Sequence, residues 1–334
     1  VKIANAIPRF GPDAATSVDN PFPRDAPRFA AAEPFMRVVL LYNPVSGYGK
    51  SQRVALPLAD RLVRDGVGVQ LVRVGPGINA DVRGALTGVD ALLVVGGDGT
   101  VAHCADDAVA TGVPLYHVPL GTENLFAREW GMSRRYETLM NALNRRQIVR
   151  ADVGVCNGRS FLLMCSSGPD ASVTGRLAAD RARGIVGGGH SAYVRPVLAE
   201  LLRPTFPRLR VTVDGREVVS DQRGIIVVGN SRQYALRVDP AVHADMTDGQ
   251  LDVAFMPCAS AARTLLWAAM ARLRRHTRDA HLVYQRGRQI VIEAVGGPAP
   301  GQLDGEALPG QGSLFDRLSI SVRPQHLPVL SARG

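Results

Sequence analysis

Ala91-Leu-Leu-Val-Val-Gly-Gly-Asp-Gly-Thr100 is the stretch that decides the fold. Five apolar residues in a row suit a strand buried on both faces. They run straight into Gly96-Gly97-Asp98-Gly99-Thr100, and the pattern that follows, 101–110, is helical. Three glycines let backbone N–H groups come close to a phosphate oxygen. The start of the following helix adds partial positive charge. Ligands of open α/β sheets bind beyond the carboxyl ends of the strands, which is where Asp98 falls. A plain strand–helix turn with Asp98 as a cap would use the same residues.

Working outward, strand and helix signals alternate. Strands are expected over 37–42, 67–74, 91–95 and 113–118, and helices over 52–64, 79–86, 101–110, 122–130 and 136–145. Such alternation predicts parallel βαβ units in a doubly wound sheet. Beyond about 150 the runs become short and β-branched, at 152–156, 160–165, 209–213, 224–228, 251–255 and 289–293. Residues 211–219 read as a hairpin turning at Asp214-Gly215, and helices interrupt at 192–202 and 259–275. The fold class is therefore α/β, an N-terminal doubly wound domain followed by a β-rich sandwich. The divisions expected are a leader over 1–35, a nucleotide-binding α/β domain over 36–150, a β-rich acceptor domain over 151–323, and a tail over 324–334 returning toward the first domain. Six prolines between Pro8 and Pro34 make the leader flexible rather than helical, and it lacks the layout of a signal peptide.

Composition narrows the partners. No apolar run reaches the roughly 18–20 residues that cross a bilayer. Cys104, Cys156, Cys165 and Cys258 form no CxxC pair, which favours a reducing, cytoplasmic home over a disulfide or zinc framework. The net charge of +9, almost all from arginine, suits polyphosphate ligands or anionic membrane. Nucleic acid fits least, since neither an aromatic RNA-binding signature nor a helix-turn-helix is present. Two glycine clusters carry no motif. Gly47-Tyr-Gly-Lys-Ser51 resembles the end of a P-loop, but Pro44 stands where its first glycine belongs. Gly187-Gly-Gly189 reads as a loop.

Four motifs then fall in order: Asn43-Pro-Val-Ser-Gly47, Gly96-Gly-Asp-Gly-Thr100, Pro119-Leu-Gly-Thr-Glu-Asn-Leu-Phe-Ala127 and Asp304-Gly-Glu306. Together they resemble the diacylglycerol kinase catalytic-domain family, which includes bacterial lipid kinases and the sphingosine and ceramide kinases. The resemblance spans roughly 37–322. It implies an NAD-kinase-like α/β domain, a β-rich domain, and an active site between them that uses ATP and Mg²⁺ on a lipid hydroxyl. It places Asn43, Ser46, Gly96, Gly97, Gly99, Thr100, Gly121, Thr122, Asn124 and Asp304 at the nucleotide. Asp98 would orient the nucleotide and act as a base, with Glu306 across the cleft, and on sequence alone these roles are exchangeable. Thr122 is expected to cap the helix after it while Asn124 faces the cleft. Glu123 stands where the family usually has a small residue, and its carboxylate either repels phosphate or helps hold Mg²⁺. Asp304-Gly305-Glu306 also fits a bare type I′ turn.

Asp170, in Ser167-Gly-Pro-Asp-Ala171, would lie on the acceptor side, although Pro169 replaces the family's aromatic residue. Asn230-Ser231 would border the nucleotide. Asp245, Asp248 and Asp252 would hold a structural Mg²⁺ or else form an acidic surface turn. Around 261–278, Ala262, Leu265, Leu266, Ala269, Met270 and Leu273 share one helical face. Arg263, Arg272, Arg274, Arg275 and Arg278 lie opposite, with Trp267 among them. That face either rests on anionic lipid, making the protein peripheral at the inner membrane surface, or packs on the protein itself. A kinase acting on a small molecule such as NAD and a non-catalytic nucleotide or lipid sensor are the competing functions; retention of both Asp98 and Glu306 argues against the sensor.

Overall fold

The computed structural model describes residues 36–75, 78, 80–184, 191–202, 204–308 and 313–333. The leader read over 1–35, residue 79 at the head of the helix expected over 79–86, and the loop at 187–189 lie outside the described residues.

Strands β1 (Met36–Tyr42), β2 (Val67–Arg73), β3 (Ala91–Gly96) and β4 (Leu115–Pro119) are parallel. They stand in the order β2-β1-β3-β4. Spatial order therefore reverses between β1 and β3, and a crevice opens beyond the carboxyl ends of strands at such a reversal. Asn43 follows β1 into that crevice and Gly97 follows β3. The helix Ser51–Arg64 buries Ala55, Ala59 and Leu62 at helical spacing. The helix Asp98–Thr111 buries Val101, Cys104, Ala105 and Ala108 and ends at Gly112, whose φ of 72° supplies the left-handed residue that closes it.

From Ile148 the strands are mostly antiparallel. Arg208–Val213 and Arg216–Gly229 form a hairpin with Asp214 and Gly215 at φ 47° and 81°, a type I′ turn. Leu251–Pro257 and Gln289–Ala294 extend the pairing on its two strands. The final strand, Arg317–Leu330, pairs with Gln289–Ala294 and Ile148–Cys156, and its Val329 then lies parallel to Leu115 of β4. One long strand thus joins the α/β and β-rich sheets. Two apolar cores form, one around Leu40, Leu93 and Phe126 that continues into the β-rich half through Leu163, Val227 and Trp267, the other around Phe161, Phe255 and Ile290. The architecture is an α/β domain followed by a β-rich one, and Phe35–Gly334 forms a single compact unit.

The helix Pro169–Ala182 was not expected, and the helix expected over 79–86 is only Val82–Ala85. Three further elements are decided by a local contact. The strand expected over 160–165 breaks between Arg159–Phe161 and Met164–Ser167, because the N–H groups of Leu162, Leu163 and Met164 turn toward Asp304. The helix expected over 122–130 is only Leu125–Glu129, since Asn124 sits at φ 51°. The helix Ala261–Arg272 does not pack its leucine face on the protein, the second of the two alternatives left open for it. Trp267 and Ala271 are buried, the Trp267 indole donating to Pro257 O at 3.0 Å, while Leu265, Leu266 and Leu273 face outward. A large ring with one polar atom fills an interior site better than leucine where a carbonyl is within reach. Among the described residues no helix is long and apolar enough to cross a membrane, and the four cysteines are buried and free.

Candidate active site

Three loops meet at the reversal point. The Gly96–Thr100 turn and the loop after β4 touch backbone to backbone: a Cβ on Gly121 would lie 2.8 Å from Gly97 Cα, and one on Gly97 would lie 3.2 Å from Gly121 Cα. Neither glycine needs a left-handed φ, so close approach is what excludes a side chain here. Leu120 N–H donates to Gly96 O at 2.7 Å, tying the two turns together. The loop after β1 joins through the hydroxyls of Ser46 and Thr100, 3.1 Å apart. Gly47, at φ 59°, lies against Leu120 O. Asn43 shapes its own turn, its Oδ1 accepting from Val45 N–H at 3.2 Å and its carbonyl from Ser46 N–H at 2.9 Å. The structure therefore gathers Asn43, Ser46, Gly96, Gly97, Gly99, Thr100, Gly121 and Asn124, and the Asn124 side chain is engaged within its own loop. Its Oδ1 accepts from Gly121 N–H at 2.7 Å and its Nδ2 donates to Gly121 O at 2.8 Å, closing the loop on itself.

The three motif carboxylates differ sharply in what they touch. Asp98 accepts from Leu125 N–H and Phe126 N–H, each at 2.9 Å, one on each oxygen. It caps the helix Leu125–Glu129, the task the sequence suggested for Thr122, and so pins the β4 loop to the β3 loop. Asp304 accepts from Leu162 N–H and Leu163 N–H at 2.7 Å and from Met164 N–H at 2.9 Å. Burial pushes its carboxyl up to about 6 against the pull of those amides, and the Asp98 charge adds to the rise. Asp304 and Gly305, at φ 50° and 81°, are also a type I′ turn between Gln302–Leu303 and Glu306–Ala307. Glu306 is exposed and makes no hydrogen bond or ion pair among the described residues. Its Oε1 rests against Gly99, where any Cβ would overlap it.

Behind this turn runs a polar network that the sequence did not reveal. Gly305 N–H donates to Gln302 Oε1 at 2.6 Å, and Gln302 Nε2 donates to Ser166 Oγ at 2.6 Å. Ser166 and Tyr234 both donate to Asp170 Oδ2, Tyr234 at 2.6 Å. Asp170 is thus linked to the Glu306 turn, while its Oδ1 is buried without a hydrogen-bond partner. The neighbouring Asp170 charge and burial hold the Tyr234 phenol well above its usual range, burial being the larger cause. A second missed residue is His117, wholly buried below the glycine turn. Gly96 O accepts at 2.9 Å, so His117 Nε2 carries a proton, and burial lowers the ring's pKa against the pull of Asp98 and of that hydrogen bond. Its only sequence signal is a polar residue inside the apolar strand expected over 113–118.

Other expected residues lie elsewhere or are already engaged. Asp245 accepts from Thr247, whereas Asp248 and Asp252 both face Arg286, with Asp252 Oδ1 also accepting from Tyr284 Oη at 2.7 Å. Among the described residues no three acidic, His or Cys side chains are grouped to hold a metal. Of the two readings left open for these carboxylates, the acidic turn is the one the contacts favour, with the Arg286 guanidinium supplying positive charge to Asp248 and Asp252. Asn230 is fully buried, its Nδ2 donating to Asp152 O and Leu162 O, and Ser231 donates to Glu129. These two hold strands and the helix Leu125–Glu129 in place. Glu123 faces Arg128 at 3.7 Å, which offsets its charge near the loop.

The comparisons with known proteins agree with this geometry. The profile of the family described as "Diacylglycerol kinase catalytic domain" matches residues 37–156, and that described as "YegS C-terminal NAD kinase beta sandwich-like domain" matches 164–331. A diacylglycerol kinase of Mycobacterium tuberculosis is 30% identical over 240 residues, 69% of this chain and 76% of that protein. One from Bacillus subtilis is 24% identical over 295 residues, 82% and 92% of the two chains. In fold, a solved diacylglycerol kinase structure from Bacillus anthracis aligns with a TM-score of 0.62 at 17% identity, covering 89% of this chain and 97% of its own. With both halves matched in order and the motif loops meeting at one crevice, the chain belongs to the diacylglycerol kinase catalytic-domain family of lipid kinases.

Proposed function

We propose that this chain transfers the γ-phosphoryl group of ATP, with Mg²⁺, to the hydroxyl of a lipid, with diacylglycerol as the first acceptor to test and a sphingoid base or ceramide after it. The observation that carries the reading is the exposed Glu306 carboxylate resting on Gly99, at the N-terminus of a fourteen-residue helix. The first amides of a helix have no partner within it and attract phosphate oxygens. The glycine turns leave backbone rather than side chain where a triphosphate would lie, and the Ser46 and Thr100 hydroxyls border it. These hydroxyls supply hard oxygen atoms, which fits Mg²⁺ held mainly by nucleotide phosphates and water. Bound there, Mg²⁺ would neutralise charge on the phosphate oxygens.

The protein's own part is positioning and proton transfer. As the acceptor oxygen forms its bond to the γ-phosphorus and the bond to ADP breaks, the hydroxyl proton passes to Glu306. Asp98 and Asp304 cannot readily take that part, because their oxygens already accept two and three backbone amides. They fix the loops instead, and Asp170 is assigned to the acceptor side through its link by Ser166 and Gln302 to the Glu306 turn. Mg²⁺-dependent transfer from labelled ATP is the test, with diacylglycerol, sphingosine, ceramide and NAD as acceptors. Label in one lipid, lost in Glu306→Gln, supports the reading. Label in NAD alone makes the chain a small-molecule kinase, and ATP binding with no transfer to any acceptor makes it a sensor.

A further inference from the structure

The helix Ala261–Arg272 is apolar on both sides, yet only one side is covered. Trp267 and Ala271 are buried, each 1% exposed. On the opposite side Leu265, Leu266 and Leu273 are 62%, 45% and 64% exposed, with Ala262 and Ala269 exposed between them. A helix apolar all round is normally enclosed by protein or lipid. The nearby turn Ala235–Arg237 offers a further leucine, Leu236, 76% exposed, with Leu236 and Arg237 both at positive φ. Arg274, just past the helix, faces Asp239 beyond that turn at 3.6 Å, and His276 bonds Pro240 O, so turn and helix end stand side by side.

Charge marks what this surface fits. Arg237, Arg272, Arg275 and Arg278 are exposed and make no ion pair among the described residues. The nearby acidic groups are already matched, Asp239 by Arg274 and Asp279 by Arg263 at 3.0 Å. Exposed leucines bordered by unmatched guanidinium groups are the pattern of a surface that enters the headgroup region of an anionic bilayer, where arginine reaches for lipid phosphate and leucine for the acyl boundary. The same turn is coupled to the acceptor side, because Tyr234, directly before it, donates to Asp170.

We infer that the outer face of Ala261–Arg272, with Leu273, Leu236 and the unmatched arginines, docks this protein on anionic lipid bilayers and brings the Asp170 side of the cleft to the membrane. The docking does not depend on the catalytic reading; only its benefit to turnover rests on that reading. Sedimentation of the full chain with vesicles of phosphatidylcholine alone, or with about one third phosphatidylglycerol, tests it without nucleotide. The wild type binds the anionic vesicles, and binding weakens steeply from low to high salt. Leu265→Ser with Leu266→Ser and Leu273→Ser, or Arg272→Glu with Arg275→Glu and Arg278→Glu, lowers vesicle affinity at least tenfold with the melting temperature unchanged. Equal binding by wild type and both variants overturns the inference. So does loss of a dimer in sedimentation velocity on the leucine changes with no vesicle binding by any form, since the face would then join copies of the chain. Transfer to a dispersed short-chain acceptor that stays equal in all forms, while transfer to a bilayer-embedded acceptor falls only in the variants, supports it. Vesicle binding with no phosphate transfer to any lipid would sink the kinase reading and leave the docking intact.

Discussion

Replacing Asp98 and Glu306 separately distinguishes a carboxylate that builds the site from one that reacts. In Asp98→Asn one oxygen remains to accept a backbone amide, but an NH₂ group is turned toward the other. One charge-assisted hydrogen bond is lost and a donor is left facing a donor, together costing about 2–3 kcal/mol. The denaturation midpoint should fall correspondingly, and loosening the helix Leu125–Glu129 should reduce turnover by roughly tenfold. Glu306→Gln has the opposite profile. Glu306 contributes no hydrogen bond among the described residues, so stability should stay within about 0.5 kcal/mol. Removal of a general base should lower kcat by about 10²–10⁴-fold. Urea denaturation and phosphate-transfer kinetics on both variants give the answer. An Asp98→Asn protein as stable as wild type but a thousandfold slower, beside a Glu306→Gln protein of near-normal rate, would refute the assignment.

The glycine contacts predict two different defects in the same assay. Gly121→Ala drives a Cβ into Gly97 Cα and parts the two loops, so KM for ATP should rise and kcat fall together; Gly99→Ala displaces Glu306 and should act mainly on kcat. Equal, mild effects from both would count against the loop geometry. Asp304 has a folded pKa near 6 and an unfolded value near 3.8. Its native state binds the extra proton between these values, so its contribution is full below about pH 4 and is lost as pH rises through about 6. The difference is on the order of 3 kcal/mol, and Asp304→Asn should flatten the slope of stability against pH between 4 and 6; an unchanged slope would contradict the burial argument. Arg286→Ala leaves Asp252 buried without its ion partner and should cost about 1–3 kcal/mol, reduced because the guanidinium is partly in water. EDTA in the absence of nucleotide should leave the melting temperature unchanged, whereas a drop would restore the structural metal at Asp245, Asp248 and Asp252.

The fold was legible where signals were local. Continuous apolar runs identified β1, β3 and β4, and Asp214-Gly215 identified the hairpin, because burial on both faces and a type I′ turn each impose composition on a few neighbouring residues. Which face of Ala261–Arg272 is covered was not legible. Helical spacing says which residues share a face but not which face finds a partner, and that was decided by a carbonyl ten residues away, Pro257 O. The break at Leu162–Leu163 had no sign in its own sequence either, since the carboxylate that causes it is more than 140 positions downstream.

The same distinction explains why the motifs located the site but did not assign its roles. Asp98 opens a helix and Asp304 a type I′ turn, and each faces amides that have no partner in secondary structure. A carboxylate there gathers two or three N–H groups and loses freedom to act elsewhere. Glu306 stands one residue beyond such a turn, already in the short strand that leaves it, so its side chain is free of that task. The plain reading of Asp98 as a cap is what its hydrogen bonds show, and it leaves room for the proposed reading of the glycines beside it as a phosphate site. The carboxylate caps one helix so that the glycines beside it can present the start of another. A motif of this kind fixes a backbone shape, and the base proposed here comes from the turn that lies against it.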